Sequence, residues 1–203
     1  MNKLDNQIIL AKEALLNHEV ISFPTETVMG LGVIYNDYEA YQRLNIIKNR
    51  PEDKPYTLMV KDIHQIDKYA YVNDKSRKII NAFMPGSLTI LLPAKDVVPE
   101  YVTHSTGIIG IRVPTNSEAI KLLNYVDIPL LVPSANKSGE TPALNSEQVI
   151  DIFKSDIKVV IEGKAKGEIP STIIDLTGDE VKLIRKGPIS IEDIKKIYGW
   201  IKC

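Results

Sequence analysis

Three apolar segments of this chain each end in a proline followed by a hydroxyl residue. They are Phe23-Pro24-Thr25, Val113-Pro114-Thr115 and Val132-Pro133-Ser134, and a fourth such pair, Pro170-Ser171, precedes another apolar segment. Proline removes a backbone donor from a β-ladder and stiffens the exit from a strand. A hydroxyl placed there can line a cleft at the edge of a sheet, where α/β proteins usually bind ligands. The alternative is ordinary turn chemistry, because both dipeptides are common in turns.

Hydrophobic periodicity predicts a chain in which helices and strands intermix. Helices are predicted over 4–17, from Asp37 to the residue before Pro51, and over 73–83, 117–126, 145–153 and after Ser190. Strands are predicted over 20–23, 56–60, 88–92, 108–113, 129–132, 158–161, 172–176 and 181–185. Gly30 and Gly32 are expected to permit a tight bend or a close backbone approach. Because the elements do not alternate strictly, we expect an α/β fold with a mixed parallel and antiparallel sheet flanked by helices.

Size and composition are those of one globular domain spanning residues 1–203. The chain has 203 residues, of which 44% are hydrophobic and 25% charged, and its net charge of −1 gives no global indication of nucleic-acid binding. The single cysteine, Cys203, excludes an internal disulfide and fits a reducing compartment. Without a signal-peptide core or an apolar run of about 20 residues, we expect a cytoplasmic protein with no membrane span.

Two short polar segments have the groups that a polyphosphate site needs. Lys48-Asn49-Arg50 places two cations two residues apart, and Lys54 extends the cationic cluster. Ser134-Ala135-Asn136 places a hydroxyl and an amide just after an apolar run. Cations bind the anion, and fixed hydrogen-bonding groups orient it. The alternative for Lys48 and Arg50 is that they complement a helix dipole.

Other candidate groups are less informative. Arg112 lies in a predicted strand with its side chain opposite to its apolar neighbours, so either a site or an exposed sheet face explains it. Arg185 ends the last predicted strand, where a solvated edge is the alternative. Neither the acidic residues nor His18, His64 and His104 show metal-ligand spacing, and no resident metal is expected.

Four motifs occur here in one order and together resemble the YrdC-like family. They are Pro24-Thr25-Glu26-Thr27-Val28-Met29-Gly30-Leu31-Gly32, Lys48-Asn49-Arg50-Pro51, Ser134-Ala135-Asn136-Lys137-Ser138-Gly139 and Ser171-Thr172-Ile173-Ile174-Asp175. The resemblance runs from about residue 8 to residue 187. The best-known members of this family are L-threonylcarbamoyladenylate synthases, so it implies a YrdC-like twisted mixed sheet around a deep positive cleft.

The resemblance also implies an activity and its participants. L-threonine, bicarbonate and ATP would give threonylcarbamoyl-AMP and pyrophosphate, with Mg²⁺ carried by ATP, and a partner transferase complex would pass the threonylcarbamoyl group to tRNA. By motif position, Thr27, Arg112 and Ser171 would hold threonine, as would Met59, which stands where many relatives have a histidine. The expected ATP-binding residues are Lys48, Arg50, Lys54, Ser134, Asn136 and Arg185. Lys48 and Arg50 are also the expected catalytic residues, because fixed cations stabilise charge on the phosphoryl oxygens and on pyrophosphate.

Two other functions remain open at this point. One is a carbamoyl-adenylate-handling enzyme, although such relatives usually carry further domains that this chain is expected to lack. The other is an RNA-binding or ribosome-maturation factor, in which the same cations would attract RNA phosphates directly. The low net charge and the absence of a basic-aromatic stripe count against direct RNA binding.

Overall fold

The computed structural model describes residues 2–50 and 55–198. The strands within these ranges are β1 Ile21–Phe23, β2 Gly30–Ile34, β3 Thr57–Met59, β4 Leu88–Pro93, β5 Ile108–Arg112, β6 Leu130–Leu131, β7 Val159–Val160, β8 Thr172–Asp175 and β9 Lys182–Arg185. The helices are α1 Lys3–Leu16, α2 Tyr38–Lys48, α3 Ile66–Tyr69, α4 Asp74–Phe83, α5 Glu100–Thr103, α6 Ser117–Val126, α7 Ser146–Phe153 and α8 Ile191–Tyr198, with 3-10 turns at Ile63–Gln65 and Lys154–Asp156.

These strands form a single mixed sheet in the order β7-β1-β2-β6-β3-β5-β4-β8-β9. β1 pairs with β7, β3 with β5 and β4 with β8 in parallel. The other neighbours pair antiparallel, including β8 with β9. The predicted mixed sheet flanked by helices is confirmed.

Side-chain caps place the helix starts close to the predicted positions. The Asp37 carboxylate accepts a hydrogen bond from the backbone N–H of Ala40 at the start of α2, as the sequence predicts. Asn145 caps α7 in the same way, through the N–H of Gln148. Each such cap satisfies a backbone donor that has no partner inside the helix. The predicted role of Pro51 in ending α2 lies outside the described residues.

None of the described helices has both the length and the apolar character needed to cross a membrane.

Alternating strand residues bury two apolar layers, one on each face of the sheet. On β1, Ile21 and Phe23 pack with α1 and α6, whereas Leu58 of β3 packs in the layer that includes residues of α2, α4, α7 and α8. Met59 follows Leu58 and therefore points to the α1 and α6 side. The two layers hold the central strands rigidly, which fixes the positions of the segments that leave them.

Strand β2 was not predicted, and the reason lies in its burial. All five residues of β2 are buried, so the strand shows no polar alternation by which a sequence could reveal it. The expectation of a tight bend at Gly30 and Gly32 is wrong, but that of a close approach is confirmed. A Cβ at Gly30 would lie 2.8 Å from Val132 Cγ1, and one at Gly32 would lie 2.9 Å from Phe23 Cε1.

Candidate active site

A cavity of about 560 Å³, including space open to solvent, lies where several of the predicted site residues meet. β3, β5, β8 and β9 contribute to the lining, together with the segments that follow β1 and β6. The lining residues are Thr27, Val28, Arg50, Pro55, Tyr56, Thr57, Arg112, Val132, Pro133, Ser134, Pro170, Ser171, Ile173 and Arg185.

Arg112, the last residue of β5, is fixed in the wall by a buried carboxylate. Its Nε donates to Glu26 Oε1 at 3.1 Å, and its Nη2 donates to the same oxygen and, at 2.9 Å, to the Thr27 hydroxyl. The other carboxylate oxygen of Glu26 accepts the backbone N–H groups of Thr115 and Asn116. Both side chains are only 8% exposed. This network fixes Arg112 and Thr27 in one arrangement.

Arg185 and Ser171 form the opposite side of the same site. Arg185 Nε donates to the Ser171 carbonyl oxygen at 3.0 Å, and Nη2 donates to the Ser171 hydroxyl at 3.1 Å. The Ser171 and Thr89 hydroxyl oxygens lie 2.9 Å apart. The hydroxyl of Ser171 is therefore oriented by neighbours on both β4 and β9.

Arg50 enters the cavity from the end of α2. Asn49 has a left-handed backbone with φ of 49°, which turns the chain out of the helix. The guanidinium then lies 4.5 Å from the centroid of the Tyr56 ring, and Nη2 donates to the Pro55 carbonyl oxygen at 2.9 Å. The sequence predicted that Arg50 ends this helix, and the structure brings it to the cavity that Arg112 and Arg185 line.

Three arginines line the cavity, and the Glu26 carboxylate balances the charge of one of them, Arg112. Burial, and then the charges of Arg112 and Arg50, lower the pKa of Arg185 from its usual value. A guanidinium nevertheless stays protonated in proteins. Among the described lining residues there are three arginines and no aspartate or glutamate. An anion bound between these cations would relieve their mutual repulsion, so the arrangement is suited to phosphates and carboxylates.

Lys48 lies beneath the site and is not one of the lining residues. Its side chain is 1% exposed, and Nζ donates to the carbonyl oxygens of Ser134 and Asn136, each at 2.6 Å. Desolvation by burial, and then the charges of Arg50 and Lys137, lower its pKa to about 7. In this arrangement Lys48 holds the loop that presents Ser134.

Within that loop, Ser134 and Asn136 have different positions. Ser134 lines the cavity, and its hydroxyl donates to Asn136 Oδ1 at 2.5 Å. The Asn136 amide nitrogen donates to the carbonyl oxygens of Lys137 and Glu140. Asn136 is therefore buried behind Ser134 and shapes the loop rather than lining the cavity.

The structure thus brings together six of the residues predicted from the sequence: Thr27, Arg50, Arg112, Ser134, Ser171 and Arg185. Lys48 and Asn136 lie directly behind this set, and Lys54 falls outside the described residues. Met59, which was predicted to bind threonine, is not one of the lining residues: it is 1% exposed and packs in the α1 and α6 layer. Met59 comes two residues after Thr57, which lines the cavity. At this end of β3, residues of α1 and α6 cover the sheet.

Of the four proline-hydroxyl pairs, two line the cavity and two do not. Pro133-Ser134 and Pro170-Ser171 line the cavity. Thr25 instead accepts the N–H of Thr27 and donates to the Val28 carbonyl oxygen, which is turn chemistry. Thr115 is exposed and uses its backbone N–H to bind Glu26.

Among the residues that contact the predicted site residues, Glu26 and Tyr56 were not predicted from the sequence. Glu26 fixes Arg112. In the sequence, the one indication of this role was the position of Glu26 between Thr25 and Thr27 in the first motif. Tyr56 contacts Arg50, and no local pattern distinguished it from an ordinary strand aromatic.

Comparisons with known proteins assign this chain to a family. A family model for Sua5, YciO and YrdC proteins, described as telomere recombination, matches residues 13–187. The chain belongs to this family. It is 32% identical over 198 residues to the threonylcarbamoyl-AMP synthase of Pyrococcus abyssi, and 37% identical over 186 residues to the putative threonylcarbamoyl-AMP synthase of Methanocaldococcus jannaschii. The family resemblance inferred from the four motifs is confirmed.

Two solved structures of Sua5/YciO/YrdC proteins show the same fold. Pyrococcus abyssi Sua5 complexed with L-threonine superposes with a TM-score of 0.90 at 31% identity, over 98% of this chain and 59% of that one. Escherichia coli YciO superposes with a TM-score of 0.86 at 26% identity, over 96% of this chain and 95% of that one. The alignments cover 97% of this chain but 58% of the Pyrococcus synthase, and 91% of this chain and 87% of the Methanocaldococcus relative.

Proposed function

We propose that this member of the Sua5/YciO/YrdC family makes threonylcarbamoyl-AMP and pyrophosphate from L-threonine, bicarbonate and ATP. The observation that carries the proposal is the convergence of Arg50, Arg112 and Arg185 on one cavity beside oriented hydroxyl groups. Two relatives bear the name of this synthase, in one case as putative, and the matched Sua5 structure contains L-threonine. In this proposal the product serves threonylcarbamoylation of tRNA through a partner transferase complex.

The threonine side of the cavity is assigned to Thr27, Arg112 and Ser171. Arg112 is suited to a carboxylate because its guanidinium is held in a fixed plane by Glu26. The hydroxyls of Thr27 and Ser171 are oriented by Arg112 and Arg185, respectively. A substrate amine held beside them would combine with bicarbonate to form a carbamate, with loss of water.

The nucleotide side is assigned to Arg50, Ser134 and Arg185, with Lys48 and Asn136 holding the loop. A carbamate oxygen would attack the α-phosphorus of ATP, and pyrophosphate would leave with the electrons of the broken P–O bond. Charge builds on the phosphoryl oxygens during this step, and fixed guanidinium groups stabilise it. Mg²⁺ would enter as part of the substrate, bound chiefly to phosphates and water. The protein's contribution is then positioning and electrostatic stabilisation.

The test is pyrophosphate release from Mg·ATP with bicarbonate, screened across amino acids. Release that depends on threonine supports the proposal. Arg50→Ala should reduce it by about 30- to 1,000-fold, because alanine cannot make charge-assisted contacts to phosphate, and Arg50→Lys should restore only part. Arg77→Ala is the matched control, since Arg77 forms an exposed ion pair with Asp67.

Two outcomes would support a different function for this protein. Pyrophosphate release that needs a preformed carbamoyl donor instead of threonine would indicate the carbamoyl-adenylate enzyme. Salt-sensitive RNA binding without any ATP turnover would indicate an RNA-binding protein.

A further inference from the structure

The guanidinium carbon of one arginine in the cavity lies over an aromatic ring. The Arg50 guanidinium carbon is 4.5 Å from the centroid of the Tyr56 ring, and both residues line the cavity. We propose that Tyr56 is a positioning residue for Arg50, whose ring face holds the guanidinium in the orientation that binds the phosphates of ATP. This inference rests on the proposed function and adds to it the residue that sets the geometry of the phosphate contact.

The Tyr56 ring is itself held from two directions. Its hydroxyl donates to Asn45 Oδ1 at 2.5 Å, and the Tyr41 ring meets it edge-on, with centroids 5.8 Å apart and an interplanar angle of 76°. The side chain is 3% exposed. Burial raises the pKa of Tyr56 above its usual value, so the hydroxyl remains a donor to Asn45 at neutral and moderately alkaline pH. The ring is therefore a fixed surface.

Asn45 connects this ring to the backbone of Arg50. Its side-chain oxygen accepts the Tyr56 hydroxyl, and its backbone oxygen accepts the N–H of Arg50 at 3.1 Å. Asn45 of α2 thus contacts both the Tyr56 ring and the backbone of Arg50. The arginine backbone and the ring that supports its side chain cannot shift independently.

An aromatic ring and a carboxylate that hold an arginine differ in their effect on its positive charge. Glu26 fixes Arg112 but compensates its positive charge. The face of an aromatic ring attracts a cation through its quadrupole and leaves the formal charge in place. The guanidinium carbon of Arg50 lies over the face of the Tyr56 ring. Tyr56 therefore orders a long side chain through a contact that itself carries no negative charge.

The test is a double-mutant cycle on Mg·ATP binding, measured by calorimetry. Tyr56→Leu should weaken binding by about 3- to 30-fold, the range expected for a cation–π contact. In an Arg50→Ala background the same change should have almost no effect, because the group that Tyr56 positions is gone. Tyr56→Phe, which keeps the ring face, should lose less than Tyr56→Leu. Tyr69→Leu is the control, since Tyr69 is a buried tyrosine that meets Tyr35 away from the cavity.

Independent, additive losses from Tyr56→Leu and Arg50→Ala would overturn the inference, because Tyr56 would then act on ATP directly. Equal losses from Tyr56→Phe and Tyr56→Leu would also overturn it. If Tyr56→Leu does not fold, Asn45→Ala provides the second variant. It removes the acceptor of the Tyr56 hydroxyl, and its effect should likewise vanish in the Arg50→Ala background.

The outcomes separate this inference from the proposed function. ATP binding that is unchanged in Arg50→Ala would remove the phosphate role of Arg50 and the positioning role of Tyr56 together. Weak binding in Arg50→Ala with additive effects of Tyr56→Leu would overturn only the positioning role.

Discussion

Lys48 Nζ donates a 2.6 Å hydrogen bond to the carbonyl oxygen of Ser134, 86 residues further along the chain. The two polar segments that the sequence presents separately are therefore parts of one structure. Lys48 supports the loop from beneath, and Ser134 faces the cavity. The position of Lys48 therefore indicates that it holds the loop, whereas Ser134 is placed to contact a nucleotide.

We expect Lys48→Met to destabilise the protein and to weaken ATP binding. The variant keeps most of the side-chain volume but leaves the carbonyl oxygens of Ser134 and Asn136 without their donor. Each such loss costs about 1–3 kcal/mol, and relief of the buried ammonium offsets part of it, so the free energy of unfolding should fall by about 1–3 kcal/mol. Urea unfolding measures the change, with the exposed Lys158→Met as control. Unchanged stability with lost ATP binding would show that Lys48 contacts ATP directly.

The pH dependence of stability should carry a contribution from Lys48. Burial lowers its pKa from 10.5 to about 7 in the folded protein, so between these values the unfolded chain binds more protons. Its contribution to stability should therefore rise as pH rises from about 7 to 10.5, and it is lost as pH falls through the folded pKa. The slope is at most about 1.4 kcal/mol per pH unit, and the two carbonyl acceptors reduce it because they favour the charged form.

Unfolding of the wild type and of Lys48→Met at several pH values isolates this contribution. The stability difference between the two proteins should shift in favour of the wild type as the solution becomes more alkaline. A difference that is constant between pH 7 and pH 10 would mean that Lys48 keeps an ordinary pKa in the folded state.

We expect Glu26→Gln to cost much more stability than a matched change in an exposed ion pair. Arg112 and Glu26 are both 8% exposed, and the loss of one partner from a buried pair costs about 3–5 kcal/mol. Glu162→Gln is the control, since Glu162 pairs with Lys3 at the surface and such pairs contribute about 0–1 kcal/mol. Chemical denaturation compares the two variants. Similar losses would indicate that the Glu26 network contributes no more than a surface contact.

Ser134→Ala and Asn136→Ala should differ in their effect on stability. Ser134→Ala removes a hydroxyl at the cavity wall and should weaken ATP binding by about 1–2 kcal/mol, with little change in melting temperature. Asn136→Ala removes the bonds to Lys137 and Glu140 as well, so it should lower both the melting temperature and ATP binding. Calorimetry and thermal unfolding together test this. Threonine binding reduced as strongly as ATP binding would show that the loop shapes the whole cavity.

The amino-acid selectivity of the proposed reaction should reflect the hydroxyls of Thr27 and Ser171. A site built to bond a substrate hydroxyl strongly rejects an analogue without it, so valine should give almost no turnover. Serine lacks only a methyl group, and its turnover should be about a tenth to a hundredth of that of threonine. Pyrophosphate release at matched concentrations of the three amino acids measures this. Faster turnover of valine than of serine would mean that these hydroxyls do not face the substrate side chain.

Much of the local structure could be predicted because its causes are local. Asp37 and Asn145 cap helices through bonds to residues three positions away, and β1, β5 and β6 each end within two residues of a proline. The mixed sheet follows from the irregular order of such elements. Strand β2 escaped prediction because both of its faces are buried, so its sequence has no alternation.

The sequence by itself determined most of the helices and strands, the order of the motifs and the family. Only the tertiary structure decided what each polar residue of the motifs does. Lys48 and Arg50 are two residues apart and look equivalent in the sequence, yet one is buried under the Ser134 loop and the other enters the cavity. The left-handed turn at Asn49 separates them, and their partners come from distant segments of the chain. Burial and hydrogen-bond partners of this kind depend on contacts between distant segments, which no local pattern of residues specifies.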